Sequence, residues 1–430
     1  MGLVDTIIVG RLQPVDIAGT GLGNSLFFLV SLLGMGLLHG LDPMASQAVG
    51  ANKHGQARRH LNEAILIALM MVLPISLLIF GTLIPLPWLG IDQPTCAAAY
   101  QYLLGRVPGL AFMYIYLALR GYLQAVSITR PIFISTLIAN LFNIPTTMFL
   151  TLGDKGLIRL GLEPVGFKGW GVMGASIATT MMAFLQMLIL YYVLWRQPKI
   201  EDVEPPKKEG LRTMFNLGYP VSLQMLAEGG MFAVGTILMG KFGPNILGGH
   251  QVALQVASFT FSLCLGVASA TAVRVGHAVG RQDTEGARSA GFAGIATGFS
   301  IMIVSAIAFF LWPRHIASLM AEPLPVINSA VQFLYFAAMF QLFDGIQVVA
   351  GGALRGAGET QLSMRVNVLT HWGFAMPLAI FLSFYSPVGP TGIWWGFTVG
   401  LLIVSILLVV AFHRITLKEL RAIDSPSSQA

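Results

Sequence analysis

The second half of this chain repeats the first half. When the sequence is shifted by 230 positions, residues 1–60 align with residues 231–290 without a gap. The aligned positions include prolines, glycines and arginines. Examples are Pro14 with Pro244, Gly50 with Gly280 and, at an offset of 235, the Ala-Leu-Arg-Gly of 118–121 with that of 353–356. An internal repeat of this length predicts two related halves with a common fold.

The composition is that of a membrane protein. Hydrophobic residues make up 55% of the chain and charged residues 10%, whereas soluble domains carry roughly 25% charged residues. The mean hydropathy is +0.74. Two cysteines, Cys96 and Cys264, are too few for a disulfide framework. The net charge of +6 lies in loops and predicts no nucleic-acid partner.

Eleven stretches are long and apolar enough to cross a bilayer, which takes about 20 residues. They are predicted near 22–47, 61–88, 100–122, 131–152, 170–195, 213–240, 246–272, 289–312, 329–353, 364–386 and 391–414. The fold class is therefore all-α and polytopic.

The first ten residues are apolar but cover only half a bilayer. The repeat aligns them with residues 231–240, the end of the predicted span 213–240. We therefore expect a first helix whose start is missing from this sequence, and twelve spans in two six-helix bundles. Because six is even, both bundles should have the same orientation and be related by an axis along the membrane normal. The predicted domains are 1–195 and 213–414, the two bundles.

Basic residues alternate between the two sides of the membrane. Eighteen of the 25 Lys and Arg residues lie on one side, in alternate loops and in the tail 415–430. By the positive-inside rule this side is cytoplasmic. Residues 196–212, rich in proline and charge, form the predicted cytoplasmic linker between the bundles. We expect a monomer in the bacterial inner membrane.

Three carboxylates lie within apolar segments: Glu228, Asp344 and Asp5. Neither Glu228 nor Asp344 has a cation within a helical turn along the sequence. An acidic residue at the centre of a membrane helix costs about 2.5–3.5 kcal/mol on insertion scales, so such residues usually face a cavity or a partner. We interpret these three as sites that bind a proton or Na⁺ and attract a cationic substrate.

Several uncharged residues are candidates for lining the same cavity or forming a hinge. Gln224 precedes Glu228 by one helical turn, and Gln341 and Gln347 flank Asp344 at helical spacing. Pro145 follows Asn143 within a predicted span. A proline inside a helix frees the carbonyl four residues before it, which membranes tolerate where protein or water satisfies that carbonyl.

The absence of several motifs limits the classes of protein to which this chain can belong. The chain has no Walker A motif for ATP, no His-Glu-x-x-His zinc motif and no Gly-x-Ser-x-Gly nucleophile elbow. We therefore predict a secondary transporter, with no cofactor or resident metal, and neither a pump subunit nor an intramembrane enzyme.

Several segments resemble the multidrug and toxic compound extrusion (MATE) family, in particular its NorM-type branch. They are 2–11, the His-Gln-Val-Ala-Leu-Gln of 250–255, the Arg-Val-Gly-His-Ala-Val-Gly of 274–280 and the motif of 344–356. The resemblance implies two six-helix bundles around a V-shaped central cavity. It also implies export of cationic or amphipathic drugs and dyes, coupled to inward flow of Na⁺ or H⁺.

The resemblance also assigns roles to individual residues. The essential carboxylates of the family fall on Asp5, Glu228 and Asp344, with Na⁺ a candidate ligand of the last two. Some NorM-type proteins have a cation-binding tyrosine where this chain has Phe340, which has no hydroxyl. Two alternatives stay open: a flippase for a lipid-linked precursor, and a poorly active protein that lacks part of its first helix. Acidic rather than basic residues within the spans favour cationic cargo over the first alternative.

Overall fold

The computed structural model describes residues 8–9, 14–159, 161, 163–198, 200 and 203–423. Asp5 lies outside these residues. The chain folds into two compact units, and each unit is made of two separate stretches of the sequence. One unit contains residues 1–41 and 55–215, and the other contains residues 42–54 and 216–430.

Helices α1 to α8 precede the linker. They are α1 (Pro14–Leu38), α2 (Leu41–Gly50), α3 (His54–Gly81), α4 (Gln93–Arg106), α5 (Gly109–Ala125), α6 (Arg130–Leu152), α7 (Asp154–Arg159) and α8 (Gly171–Trp195). All but α2 belong to the first unit.

Helices α9 to α16 follow the linker. They are α9 (Lys208–Gly240), α10 (Pro244–Gly280), α11 (Thr284–Leu311), α12 (Pro313–Met320), α13 (Leu324–Gly356), α14 (Thr360–Thr370), α15 (Met376–Phe384) and α16 (Thr391–Ile415). A π-helical turn, His371–Ala375, joins α14 to α15. Helix α9 begins at Lys208, earlier than the predicted start at residue 213.

The predicted all-helical, multi-spanning fold is confirmed. Among the described residues, ten helices are long and apolar enough to cross a membrane, and the pair α4 and α5 makes an eleventh span if it is counted as one. That pair corresponds to the predicted span 100–122, and its axis bends by 48°. Pro108 lies at the break, where it supplies no backbone N–H for the helical ladder.

The repeat appears in the ends of the helices. Helix α1 begins at Pro14 and α10 at Pro244, since proline suits the first turn of a helix. The turns that follow α2 and α10 both contain a left-handed residue at the same place, Asn52 with φ of 58° and Gln282 with φ of 59°. The repeated sequence therefore specifies the same start and the same end in both halves, although the first half has a break between α1 and α2 that α10 lacks. The predicted domain limits, 1–195 and 213–414, stay a prediction.

Small residues bring α10 and α13 together in the second unit. A Cβ atom on Gly352 would lie 2.5 Å from the backbone oxygen of Ala268, and one on Gly356 would lie 2.3 Å from that of Ala272. Both helices thus place small residues four positions apart at their contact, the arrangement that allows close packing of helices in membranes. This contact fixes the position of α13, which carries Asp344.

Candidate ion and substrate site

Two acidic residues meet in the second unit. Asp344 on α13 is only 4% exposed, and Glu228 on α9 is half-buried. The two carboxylates are close enough to interact electrostatically. Like charges in a site shielded from water repel strongly, so this pair favours the binding of a proton or another cation.

Asp344 has an unused acceptor. Its Oδ1 atom is buried and accepts no hydrogen bond from any described residue. The neighbouring Cys264 on α10 interacts with the Asp344 carboxylate, but its thiol points to the backbone oxygen of Gly298 at 3.6 Å. A buried acceptor without a partner costs about 1–3 kcal/mol. A proton, a metal cation or a ligand ammonium at this oxygen would remove that cost.

Neutral polar side chains surround the two acids. Gln347 interacts with the Glu228 carboxylate and donates through Nε2 to Asn367 Oδ1 at 3.1 Å. Asn367 in turn donates to the backbone oxygen of Ser363 at 2.9 Å. The Ser363 hydroxyl donates to Gln224 Oε1 at 3.0 Å. This network joins α9, α13 and α14 and fixes the side chains around Glu228.

The predicted polar residues Gln224 and Gln347 therefore lie with the acids. The carboxamide of Gln347 has a free oxygen: no described residue donates to its Oε1 atom. Carboxylate and amide oxygens are ligands that hard cations such as Na⁺ accept. These oxygens thus have the donor chemistry that binds Na⁺, and the same oxygens can hold a proton.

Gln341 and Phe340 have different surroundings. Gln341 accepts a short hydrogen bond from Thr260 on α10, and its Nε2 atom has no partner among the described residues. Phe340 is buried against aromatic rings, with centroids 5.6 Å from Trp394 and 6.5 Å from Phe232. Phe340 therefore packs in an apolar core, while Gln341 links α13 to α10.

Asn143 and Pro145 belong to the first unit, whereas Glu228 and Asp344 belong to the second. Both lie on α6, which stays helical through Pro145. Asn143 is 1% exposed, and both polar atoms of its side chain lack partners among the described residues. The structure therefore leaves Asn143 able to bind a ligand or water, and its predicted role in lining a cavity stays a prediction.

Sequence reasoning missed Thr260, Ser363 and Asn367, because it searched for charged residues and for the positions next to them. A signal was nevertheless present. Thr360, Ser363, Asn367 and Thr370 recur at intervals of three or four residues along α14, and all four are buried. Polar residues on one face of an apolar helix indicate a polar interior.

Comparison with known proteins decides the family. The family model described as MatE matches residues 1–149 and 220–381. This chain belongs to the MATE family. Members of this family are transporters, so the chain is not an enzyme. The match covers the helices that carry Glu228 and Asp344.

Relatives that match nearly the whole chain support this assignment. The Multidrug resistance protein NorM of Vibrio vulnificus strain YJ016 is 30% identical, over 96% of this chain and 91% of that protein. The Probable multidrug resistance protein NorM of Xylella fastidiosa strain 9a5c is 32% identical, over 97% and 88%.

Solved MATE structures share the fold. The crystal structure of the eukaryotic MATE transporter AtDTX14 has a TM-score of 0.85 with this chain at 21% identity, covering 97% of this chain and 93% of that one. An outward-facing MATE transporter of the MOP superfamily has a TM-score of 0.84 at 20% identity, covering 96% and 91%. At these identities the likeness concerns the MATE fold alone.

Proposed function

We propose that this protein is a secondary active multidrug exporter, which exchanges cationic or amphipathic drugs for Na⁺ or H⁺. The observation that carries the proposal is the buried Asp344, which has a carboxylate oxygen without a partner among the described residues and interacts with a second acid, Glu228. The relatives in Vibrio vulnificus and Xylella fastidiosa are named multidrug resistance proteins, which supports drugs as the exported cargo.

The coupling follows from competition for the same carboxylates. A cationic drug and a coupling ion both neutralise the repulsion between Asp344 and Glu228, so binding of one weakens binding of the other. Each ligand shifts the conformational equilibrium only by its difference in affinity between the two states. If the inward-facing state favours the drug and the outward-facing state favours the ion, the ion gradient drives export.

The remaining site residues have supporting roles in this proposal. Gln347, Asn367 and Ser363 hold the acids in place through the hydrogen-bond network. Asn143 and Pro145 line a polar surface or form a hinge in the first unit, and Asp5 is a third coupling carboxylate.

The protein is an integral membrane protein with several spans. Large apolar side chains on α3, such as Met70 (63% exposed) and Leu73 (67% exposed), face outward, as contact with lipid requires. We place the protein in the bacterial inner membrane as a monomer. The linker and the C-terminus are cytoplasmic, because the adjoining loops are the basic ones.

Dye transport in liposomes tests the proposal. Purified protein would be reconstituted, and ethidium flux would be followed under a proton gradient and, separately, under a Na⁺ gradient. We expect flux under one gradient, and its loss in Asp344→Asn, which keeps the size of the side chain but removes its charge.

Glu285→Gln serves as the matched control, because Glu285 is an exposed acid at the start of α11 and should transport as the wild type does. Equal amounts of folded protein in the liposomes would be verified by size-exclusion chromatography. Coupled transport that persists undiminished in folded Asp344→Asn would refute the role of this carboxylate.

A further inference from the structure

A cavity of about 630 Å³ opens between α10 and α11, and neither Glu228 nor Asp344 lines it. It extends along α10 from Arg281, next to the loop after this helix, to Val267. At 1.5 Å per residue, these two positions are about 21 Å apart along the helix axis. Because the hydrocarbon core of a bilayer is about 30 Å thick, a cavity of this length is long enough to extend from the headgroup layer into the acyl chains of one leaflet.

The end of the cavity near the loop is basic. Arg274, His277 and Arg281 follow one another at intervals of three and four residues, so they share one face of α10. Both arginines are exposed, and within the described part of the chain neither forms an ion pair. Ser289 on α11 adds a hydroxyl to the same lining. An anion is the ligand that these side chains would bind.

No acidic side chain of a described residue lines the cavity. The nearest acid along the chain, Asp283, caps α11 and accepts a hydrogen bond of 2.7 Å from the backbone N–H of Gly286. The positive charge of the two arginines is therefore not neutralised from within the lining. Arg274 lies about 9 Å inside the end of α10.

The fold itself does not require this positive charge. At the offset of 230 that relates the two halves, Arg274 corresponds to Met44, and Arg281 corresponds to Ala51. The first half forms the same helix end and the same turn without either arginine. Arg274 and Arg281 therefore have no basic counterpart in the first half. This difference indicates that they have a role other than ending the helix.

The deeper end of the cavity is mainly apolar. Its lining changes from arginine to Val267 and Ala270 on α10 and to Ala293 on α11. Thr271 and Thr297 also line this end, and their hydroxyls donate hydrogen bonds of 2.8 Å to backbone oxygens of their own helices. A ligand that fills the cavity therefore combines an anionic head with a hydrocarbon chain. A free phosphate ion would occupy the basic end alone and would leave the apolar end unfilled.

We propose that this cavity binds an anionic phospholipid of the cytoplasmic leaflet, with its phosphate at Arg274 and Arg281 and an acyl chain along Ala293. Basic pockets between membrane helices on the cytoplasmic side are suited to such headgroups. The arginine stems lie along the helix while the guanidinium groups reach the phosphate.

Lipid titration of the purified full-length protein tests this site. Binding of phosphatidylglycerol, of phosphatidylcholine and of inorganic phosphate would be measured by native mass spectrometry and by the shift in thermal unfolding. We expect phosphatidylglycerol alone to bind with high affinity. The double variant Arg274→Gln, Arg281→Gln should lose about tenfold or more of that affinity, since each basic residue near a lipid surface contributes to it.

Two further variants separate a specific site from general attraction. The double variant Arg414→Gln, Lys418→Gln removes the same charge from exposed residues outside the cavity lining and should bind phosphatidylglycerol as the wild type does. Ala293→Phe fills the apolar end and should weaken lipid binding without changing the charge. Equal losses in both double variants, equal binding of phosphate and lipid, or unchanged binding in Ala293→Phe would each overturn the proposal.

Discussion

Gln347 on α13 donates a hydrogen bond of 3.1 Å to Asn367 on α14, and the same side chain interacts with Glu228 on α9. One carboxamide thus connects three helices at the candidate site. Both Gln347 and Asn367 are buried, at 1% and 0% exposure. A buried network of this kind stabilises the fold only while its members are satisfied.

Asn367→Leu should destabilise the protein, because it leaves Gln347 Nε2 without its acceptor. We expect a loss of about 1–3 kcal/mol in the free energy of unfolding, measured by denaturant titration in detergent. The double variant with Gln347→Leu should lose less than the sum of the two single variants, since the two residues share one interaction. Additive losses would mean that the two side chains act independently.

Ser300→Ala provides the control for this experiment. Ser300 is exposed, and its hydroxyl donates to the oxygen of Ala296 within the same helix. We expect a change within about 0.5 kcal/mol.

Gly352→Ala should weaken the contact between α10 and α13. The new Cβ atom would lie 2.5 Å from the backbone oxygen of Ala268, and such overpacking typically costs about 1–3 kcal/mol. Alanine also favours a helix over glycine by about 1 kcal/mol. Gly266→Ala isolates that second effect, because no neighbouring atom lies within 4 Å of its Cβ position. The midpoint temperature of thermal unfolding should therefore fall in Gly352→Ala and rise in Gly266→Ala. A rise in both variants would argue against tight packing at Gly352.

Glu63→Ala should release the linker from α3. The buried Glu63 carboxylate accepts a hydrogen bond of 3.0 Å from the backbone N–H of Lys207 and lies 2.8 Å from His60 Nδ1. Hydrogen bonds to charged groups contribute about 1.5–3 kcal/mol, so a lysine-specific protease should cleave at Lys207 about tenfold faster or more. Glu322→Ala, which alters an exposed acid, should leave the cleavage rate unchanged; equal rates in Glu63→Ala and wild type would contradict the contact.

The loop between α7 and α8 should become less stable at acidic pH. Hydrogen bonds from the backbone N–H groups of Val165, Phe167 and Gly166 lower the pKa of the Asp154 carboxyl. A lowered pKa means that this stabilisation is present above the ordinary carboxyl pKa of about 3.9 and disappears as the pH falls through the folded value.

Hydrogen exchange of the segment 163–169, corrected for the intrinsic effect of pH, would measure this change. Protection should be constant from pH 7 to 5 and decrease below about pH 4. Asp154→Ala should lack the protection already at pH 7. Equal protection of wild type and Asp154→Ala at pH 7 would exclude a role for this carboxylate.

Much of the fold was accessible from the sequence. Hydropathy reports the length of an apolar segment, and length decides whether a helix can span a bilayer. The repeat aligns Pro14 with Pro244, and in the structure each of these prolines begins a helix. Glu228 and Asp344 were predicted for a related reason: an acid inside an apolar segment needs a partner or a cavity, and the structure brings these two together.

Other features depend on tertiary contacts that hydropathy does not report. Asn367 and Ser363 are neutral, so they interrupt an apolar helix only weakly, and nothing local links Ser363 to Gln224, which is 139 residues away. Hydropathy likewise does not predict the contact between Glu63 and Lys207, which are 144 residues apart. The bend at Pro108 was missed because the apolar stretch continues through it.

The central claim is that drug and coupling ion compete for the carboxylates of Asp344 and Glu228. The most direct test is the affinity of the purified protein for ethidium, measured by fluorescence at rising Na⁺ concentration at constant pH and ionic strength, and at falling pH without Na⁺. We predict that one of these ions raises the apparent Kd for ethidium in proportion to its concentration, and that Asp344→Asn abolishes this dependence. An ethidium affinity that neither Na⁺ nor H⁺ changes in the wild-type protein would contradict the claim.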